Sequence, residues 1–178
     1  MSSALQSFFL VALFAGIMTL QWNIETDMTS TRYLKNYGEI AVHDAALLID
    51  QKEMSNGYLV FYKENGNHLG EEYLHESLKY HLRLDDNLVP EENSFFQHEV
   101  KIAHLQFIDD KTSDSVCNQT NADGYVRFPC TYDAPEFDFK QTLRGPSVVL
   151  ILETEGPRYF RGESIMIRQA AVYEYLRN

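Results

Sequence analysis

The stretch HESLKYH holds the side chains best able to bind a metal, with His75, Glu76 and His81 close together. A helical zinc-protease site needs histidines at i and i+4, with the glutamate beside the first. Here the histidines are six residues apart, which turns the two rings to different faces of a helix. They are therefore expected to be surface histidines on a packed helix. His43, His68, His98 and His104 form no ligand spacing either. No nucleophile elbow, P-loop or dinucleotide fingerprint occurs. The sequence gives no reason to assign a catalytic residue, a metal or a cofactor.

The two cysteines lie close together, in CNQTNADGYVRFPC (Cys117 to Cys130). An even pair around an Asp-Gly turn predicts a disulfide, which would stabilise by roughly 3 kcal/mol in the chain-entropy model. Two buried free thiols are the alternative. A disulfide places the body outside the reducing cytosol. Within the same loop, QTNADGYV offers Asn121, Asp123, Gly124 and Val126 at EF-hand-like offsets. Gln119 stands where the first carboxylate belongs and Cys130 where the bidentate glutamate belongs, so an Asp-Gly hairpin turn is the better reading. Asn118-Gln119-Thr120 is a glycosylation sequon only in a glycosylating host. The acidic run FIDDKTSD (Phe107 to Asp114) is expected to be a solvated loop.

The elements that must carry these residues follow from composition and pattern. The chain has 178 residues, enough for one domain and an appendage. A hydrophobic fraction of 44%, with 11 Tyr and 11 Phe, can fill a core. A net charge of -11 argues against a nucleic-acid partner and against attraction to anionic lipid. Membrane attachment would have to come from apolar area.

That area lies at the N-terminus. Ala4 to Ile24 is 21 residues without a charged side chain, roughly 31 Å as a helix. This matches a hydrocarbon core of about 30 Å. Phe8, Phe9, Leu10, Val11, Leu13, Phe14, Ile17 and Leu20 would form its apolar surface, and Trp22 suits the membrane interface. A cleaved secretory signal and a buried helix of a soluble protein are the competing readings. A signal wants a basic start and a small-x-small site. There is no Lys or Arg before Arg32, and only Leu13-Phe14-Ala15 faintly imitates such a site, so a retained anchor is expected. The positive-inside count is nearly silent, and the disulfide sets the expected orientation, N-terminus inside and body outside.

RYLKNYGEIAVHDAALLID (Arg32 to Asp50) continues the run. Leu34, Tyr37, Ala41, Ala45 and Leu48 make one helical stripe, widened by Ile40 and Leu47. The spacing predicts a single helix from about Ala4 to Glu53, stopped at Ser55-Asn56-Gly57 with Gly57 as its cap. Gly38 weakens it by about 1 kcal/mol without breaking it. Residues 1–54 are thus read as a helical unit, with 4–24 as its transmembrane or filament-core half and 25–54 as its amphipathic half. Residues 55–178 are the extracytoplasmic body.

Within the body, YLVFYK (58–63) reads as a strand ending in an ENGN turn, and EEYLHESLKYHLRL (71–84) as a helix packed through Leu74, Leu78 and Leu82. DDNLVPEENS (85–94) reads as an acidic loop. In HEVKIAHLQFIDD (98–110), Val100, Ile102 and His104 share one face, and Ala103, Leu105 and Phe107 the other. Residues 124–128, 137–143, 146–155 and 163–176 complete the strands. The class is α+β: a long N-terminal helix packed on an antiparallel sheet of five or six strands.

The front and back of the chain resemble the TadE-like family of the tight-adherence (Flp-type) pilus system, among type IV pilin-like proteins. In that family an anchor is followed by a helix ending in an Asn-Ala-Ala-Asp-Ala-Ala-Ala-Leu-like run, and Val42-His43-Asp44-Ala45-Ala46-Leu47-Leu48 is similar. Val148 to Leu152, Tyr159-Phe160 and Ile165 to Val172 are similar to its final strands. Type IV pilins carry a Gly before the cleavage site and a Glu at the fifth mature position. This chain has Gln6 in that neighbourhood and no Glu before Glu25. The resemblance implies a non-catalytic structural or minor subunit of a surface filament or its assembly machinery. It would self-associate, or join other pilin-like subunits, through the N-terminal helix. A helix apolar all round has two stable homes, lipid and a bundle of like helices, and Ala4, Ala12, Ala15 and Gly16 allow close approach. The expected location is the cytoplasmic membrane, as a single-pass protein, or a surface filament. A monomeric anchored receptor or binding module is the alternative function, and a soluble secreted enzyme a third.

Overall fold

A computed structural model describes residues 3–112, 114–117, 122, 124–158 and 163–176. The leading helix, α1 (Ser3–Ala46), is unbroken over 44 residues. It ends earlier than the pattern predicts. Leu47 and Leu48 leave the helix because their neighbours pair with the following segment: Asp50 N–H donates to the Val60 carbonyl, and Tyr62 N–H to that of Leu48, both at 2.9 Å. Asp50 then caps a new short helix, α2 (Gln51–Ser55), accepting from the N–H groups of Lys52 and Glu53. Gly57, at φ +88°, ends α2 and donates to the Met54 carbonyl.

The expected strand at 58–63 is mostly irregular. Phe61 makes one isolated antiparallel bridge to Ile49, and Lys63–Glu64 (β1) pairs with Asn67–His68 (β2) across a tight turn in which Asn65 and Gly66 both take positive φ. Helix α3 (Leu69–Leu82) follows, burying Leu74, Leu78 and Leu82 at the predicted spacing.

The expected sheet of five or six strands is instead split into sheets of two, three and two among the described residues. β3 (Lys101–Ile108), β6 (Ser147–Glu155) and β7 (Met166–Glu174) form the central antiparallel sheet, with β6 in the middle. β4 (Cys130–Ala134) and β5 (Phe139–Leu143) form a separate hairpin, while 124–128 is not a regular strand. The hairpin exists apart because the three-stranded sheet is covered on both faces. Val148, Leu150 and Leu152 of β6 join α1 and α3 in one core. Val149 joins Ile108, Tyr132, Ala134 and Leu143 in a second core beneath the hairpin. The layers are helices, sheet and hairpin.

One bulge re-sorts the faces of β3. The pairing jumps from Ile102 opposite Leu152 to His104 opposite Ile151, leaving Ala103 extra. Ile102, Leu105 and Phe107 therefore all lie on the helix side, whereas His104 turns to Tyr132 on the hairpin side and hydrogen-bonds its hydroxyl. The predicted grouping of Ile102 with His104 fails for this reason.

Candidate functional site

The feature with functional content is α1 and its junction with the body. Phe8, Phe9, Leu10, Val11, Leu13, Phe14, Ile17 and Leu20 are all between 47 and 70% exposed. None of the most apolar 18-residue window is buried, and the helix is long and apolar enough to cross a membrane. This overturns the buried-helix reading. Its polar side chains are quieted locally. Ser7, Thr19 and Thr26 hydroxyls donate to the carbonyls of Ser3, Ala15 and Trp22, each four residues back. In an apolar surrounding such back-bonding removes the cost of an unpartnered hydroxyl.

From Ser30 onward the helix is gripped. Ser30, Leu34, Gly38, Ala41, Val42, Ala45 and Ala46 are buried. Leu34, Ala41 and Ala45 thus lie where the stripe predicts, and Tyr37 is half-buried against the same core. Leu48 does not belong to it, since it lies beyond the helix. Ile40 and Leu47 face out, with 38% and 57% exposure. Small residues do the work the larger ones were expected to do. A methyl group on Gly38 would sit 3.2 Å from the Ala171 Cβ, and one on Gly70 only 2.6 Å from the Ala45 carbonyl oxygen. Gly38 lets α1 lie against β6 and β7, and Gly70 lets α3 cross α1.

Both ends of the grip are tied by polar side chains. At the end nearer the exposed apolar half, Arg158 Nη1 and Nη2 donate to the two carboxylate oxygens of Asp27, the second bond measuring 3.2 Å. The pair is mostly sheltered, with side chains 13% and 24% exposed. Arg158 Nε also donates to the Glu163 carbonyl at 3.0 Å. At the far end, the Tyr175 hydroxyl donates to the Ala46 carbonyl at 2.7 Å, capping the last turn. Ser77 of α3 donates to Asp44 at 2.7 Å, and the rings of Tyr37 and His81 stack with centroids 5.3 Å apart.

Asp109 and Asp110 do not belong to a solvated acidic loop. They are buried, 2% and 9% exposed. Asp110 accepts from the Leu59 N–H at 2.6 Å, and Asp109 from that of Phe61 at 3.2 Å. The two carboxylates serve the backbone of an irregular segment that has no ladder of its own. His68 is packed face to face with Phe107, centroids 4.2 Å apart. Burial, helped by nearby Lys63 and opposed by Asp109, lowers its pKa to about 4.

Cys117 and Cys130 are joined, with Cα atoms 5.5 Å apart, inside the second core. The calcium-like offsets at Gln119, Asn121 and Asp123, the sequon at 118–120, and Tyr159-Phe160 lie outside the described residues. Among the described residues no group of three His, Cys, Asp or Glu side chains is placed to hold a metal. His75 lines a cleft with Glu71 and Glu72, while His81 lines the groove between α1 and α3. A cleft of about 840 Å³ runs past Tyr58, Asp110, Tyr125, Arg127 and Arg144.

No family model, curated protein or solved structure matches this chain.

Proposed function

We propose that the protein is a membrane-anchored, pilin-like (TadE-like) subunit of a type IV-related surface filament or of its assembly machinery, without catalytic activity. The observation that carries this reading is the continuity of α1. One helix is apolar and exposed along its first half and held by the body along its second. An anchor for a flexibly tethered domain needs only the first half. A subunit that must set its body rigidly on a helix bundle needs both. The Cys117–Cys130 bridge supports a body outside the cytoplasm and an N-terminus inside. Two measurements test the reading. Deleting residues 1–24 should release the body from membranes, and a truncated chain that resists a carbonate wash would sink the anchor. Antibody to the body should decorate surface filaments of cells that express the full chain.

A second reading, a monomeric anchored binding module, draws on the 840 Å³ cleft, which has the size of a small-molecule site and is lined by Tyr58, Tyr125 and Arg144. Membrane-confined monomers with no decorated filaments would put this reading first.

A further inference from the structure

We propose that the anchor-side end of the body, at Ile165 and Met166, rests in the headgroup layer of the membrane. The proposal builds on the anchor reading of α1 and adds a second membrane contact to it.

The argument is one of height along the helix. The uncharged run ends at Ile24, and Asp27 lies three residues on, about 4.5 Å further along the axis at 1.5 Å per residue. A bilayer of about 40–45 Å with a hydrocarbon core of about 30 Å leaves a polar layer of roughly 5–7 Å on each side. A span ending at Ile24 therefore sets Asp27 inside that layer. Gly156, Arg158 and Ile165, which lie between β6 and β7, are tied to the same level. Arg158 grips Asp27 with both terminal nitrogens. A methyl group on Gly156 would lie 3.1 Å from Asp27 Oδ1, and Gly156 N–H donates to the Ile165 carbonyl at 2.9 Å.

At this level the body shows apolar side chains to its surroundings. Ile165 is 47% and Met166 61% exposed, and on the helix Ile24 and Met28, which flank Asp27 in sequence, are 59% and 51% exposed. In water two such neighbours are a cost, whereas at an interface they continue the apolar surface of the anchor. The Arg158 charge is already matched by Asp27, and in the same stretches of sequence the one further cation, Arg161, is outnumbered by Glu25, Glu155 and Glu163. The contact is therefore apolar and suits zwitterionic lipid, and anionic lipid should not strengthen it.

The test uses the full chain in phosphatidylcholine vesicles with brominated acyl chains as quencher. Trp22, the single tryptophan, reports the anchor. Because Cys117 and Cys130 are joined, Ile165→Cys and Met166→Cys each offer one thiol for an environment-sensitive dye. Tyr73→Cys is the distant control. It is an exposed site on α3, which meets α1 at Asp44 through Ser77, about 25 Å beyond Asp27 at the helical rise. Trp22 and both anchor-end dyes should be quenched, the dyes at least about threefold more than the one at residue 73. Trp22 quenched with silent dyes overturns the proposal and leaves the anchor standing. If neither responds, the anchor reading fails and the proposal fails with it. Equal quenching at residue 73 overturns the proposal too, because the body then lies on its side. Dyes shielded from an aqueous quencher but not reached by the brominated lipid also overturn it, with a second copy as the cover.

Discussion

Arg158 holds Asp27 in a two-pronged ion pair across 131 residues of chain. The contact ties the helix to the body just before its buried half begins at Ser30. Removing either partner leaves a sheltered charge unmatched. Arg158→Ala and Asp27→Ala should each lower stability by about 1–3 kcal/mol, the usual cost of losing a hydrogen bond to a charged group. The double variant should lose less than the sum. Denaturant unfolding of the full chain in detergent, arranged as a double-mutant cycle, measures this coupling. Strict additivity would mean that the two charges do not cooperate.

The disulfide closes the loop from Cys117 to Cys130 and lies within the core under the β4–β5 hairpin. Opening it by Cys117→Ser with Cys130→Ser should cost about 3 kcal/mol on the loop-entropy scale. The loss should appear first in the hairpin. Amide exchange should quicken at Thr131 to Ala134 before it does at Val148 to Leu152, which form the centre of the other sheet. Equal quickening of both segments would show that the hairpin layer has no separate opening step.

His68 makes stability fall on acidification. Its pKa is lowered from 6.5 to about 4 in the folded protein, chiefly by burial. Between those values the unfolded chain binds a proton at this site and the folded chain does not. Stability is therefore fully present above about pH 6.5 and is lost as the pH falls towards 4, with a size of about 1–2 kcal/mol for a half-sheltered ring. His68→Phe keeps an aromatic ring against Phe107 and removes the titration. The slope of stability with pH between 4 and 6.5 should be shallower in this variant than in the parent. Parallel profiles would rule out His68 as the titrating group.

Much of this arrangement is legible in the residues. Leu74, Leu78 and Leu82 fall at helical spacing and mark the buried side of α3. Val148 to Leu152 form an unbroken apolar run because β6 is covered on both faces. The end of α1 is hidden because Leu47 and Leu48 continue its apolar period, although neither enters the core. Asp50, with Glu53 three residues on, carried the signal of a fresh helix start. β4 is hidden between Pro129 and Pro135, whereas its partner β5 falls within the strand expected at 137–143, after a turn that Pro135 opens. The burial of Asp109 and Asp110 could not be read locally either. It answers the need of the Leu59 and Phe61 N–H groups, about fifty residues earlier. The Asp27–Arg158 pair and the bulge at Ala103 are likewise settled by packing between distant segments.

The grip of the body on α1 gives the sharpest test of the architecture. Ala45 is 1% exposed, and a methyl group on Gly70 of α3 would sit 2.6 Å from its carbonyl oxygen. Ala45→Asp would bury a carboxylate with no partner, which costs several kcal/mol or forces its protonation. Total stability is typically about 5–15 kcal/mol, so this single change should bring the body close to unfolding. Glu39→Gln alters the same helix on its open side, where Glu39 meets Lys35 at 4.0 Å with both side chains about half exposed. An exposed pair of this kind contributes little, and the change should stay within about 0.5 kcal/mol. Gly38→Val falls between them. Its side chain must push against Ala171 and Leu152, for a loss of about 1–3 kcal/mol by overpacking. Thermal or denaturant unfolding of the three variants should rank them Ala45→Asp, Gly38→Val, Glu39→Gln, from least to most stable. If all three unfold with the parent, the second half of α1 is not held by the sheet. The helix would then be a free stalk, and the anchored binding module would become the better account of the chain.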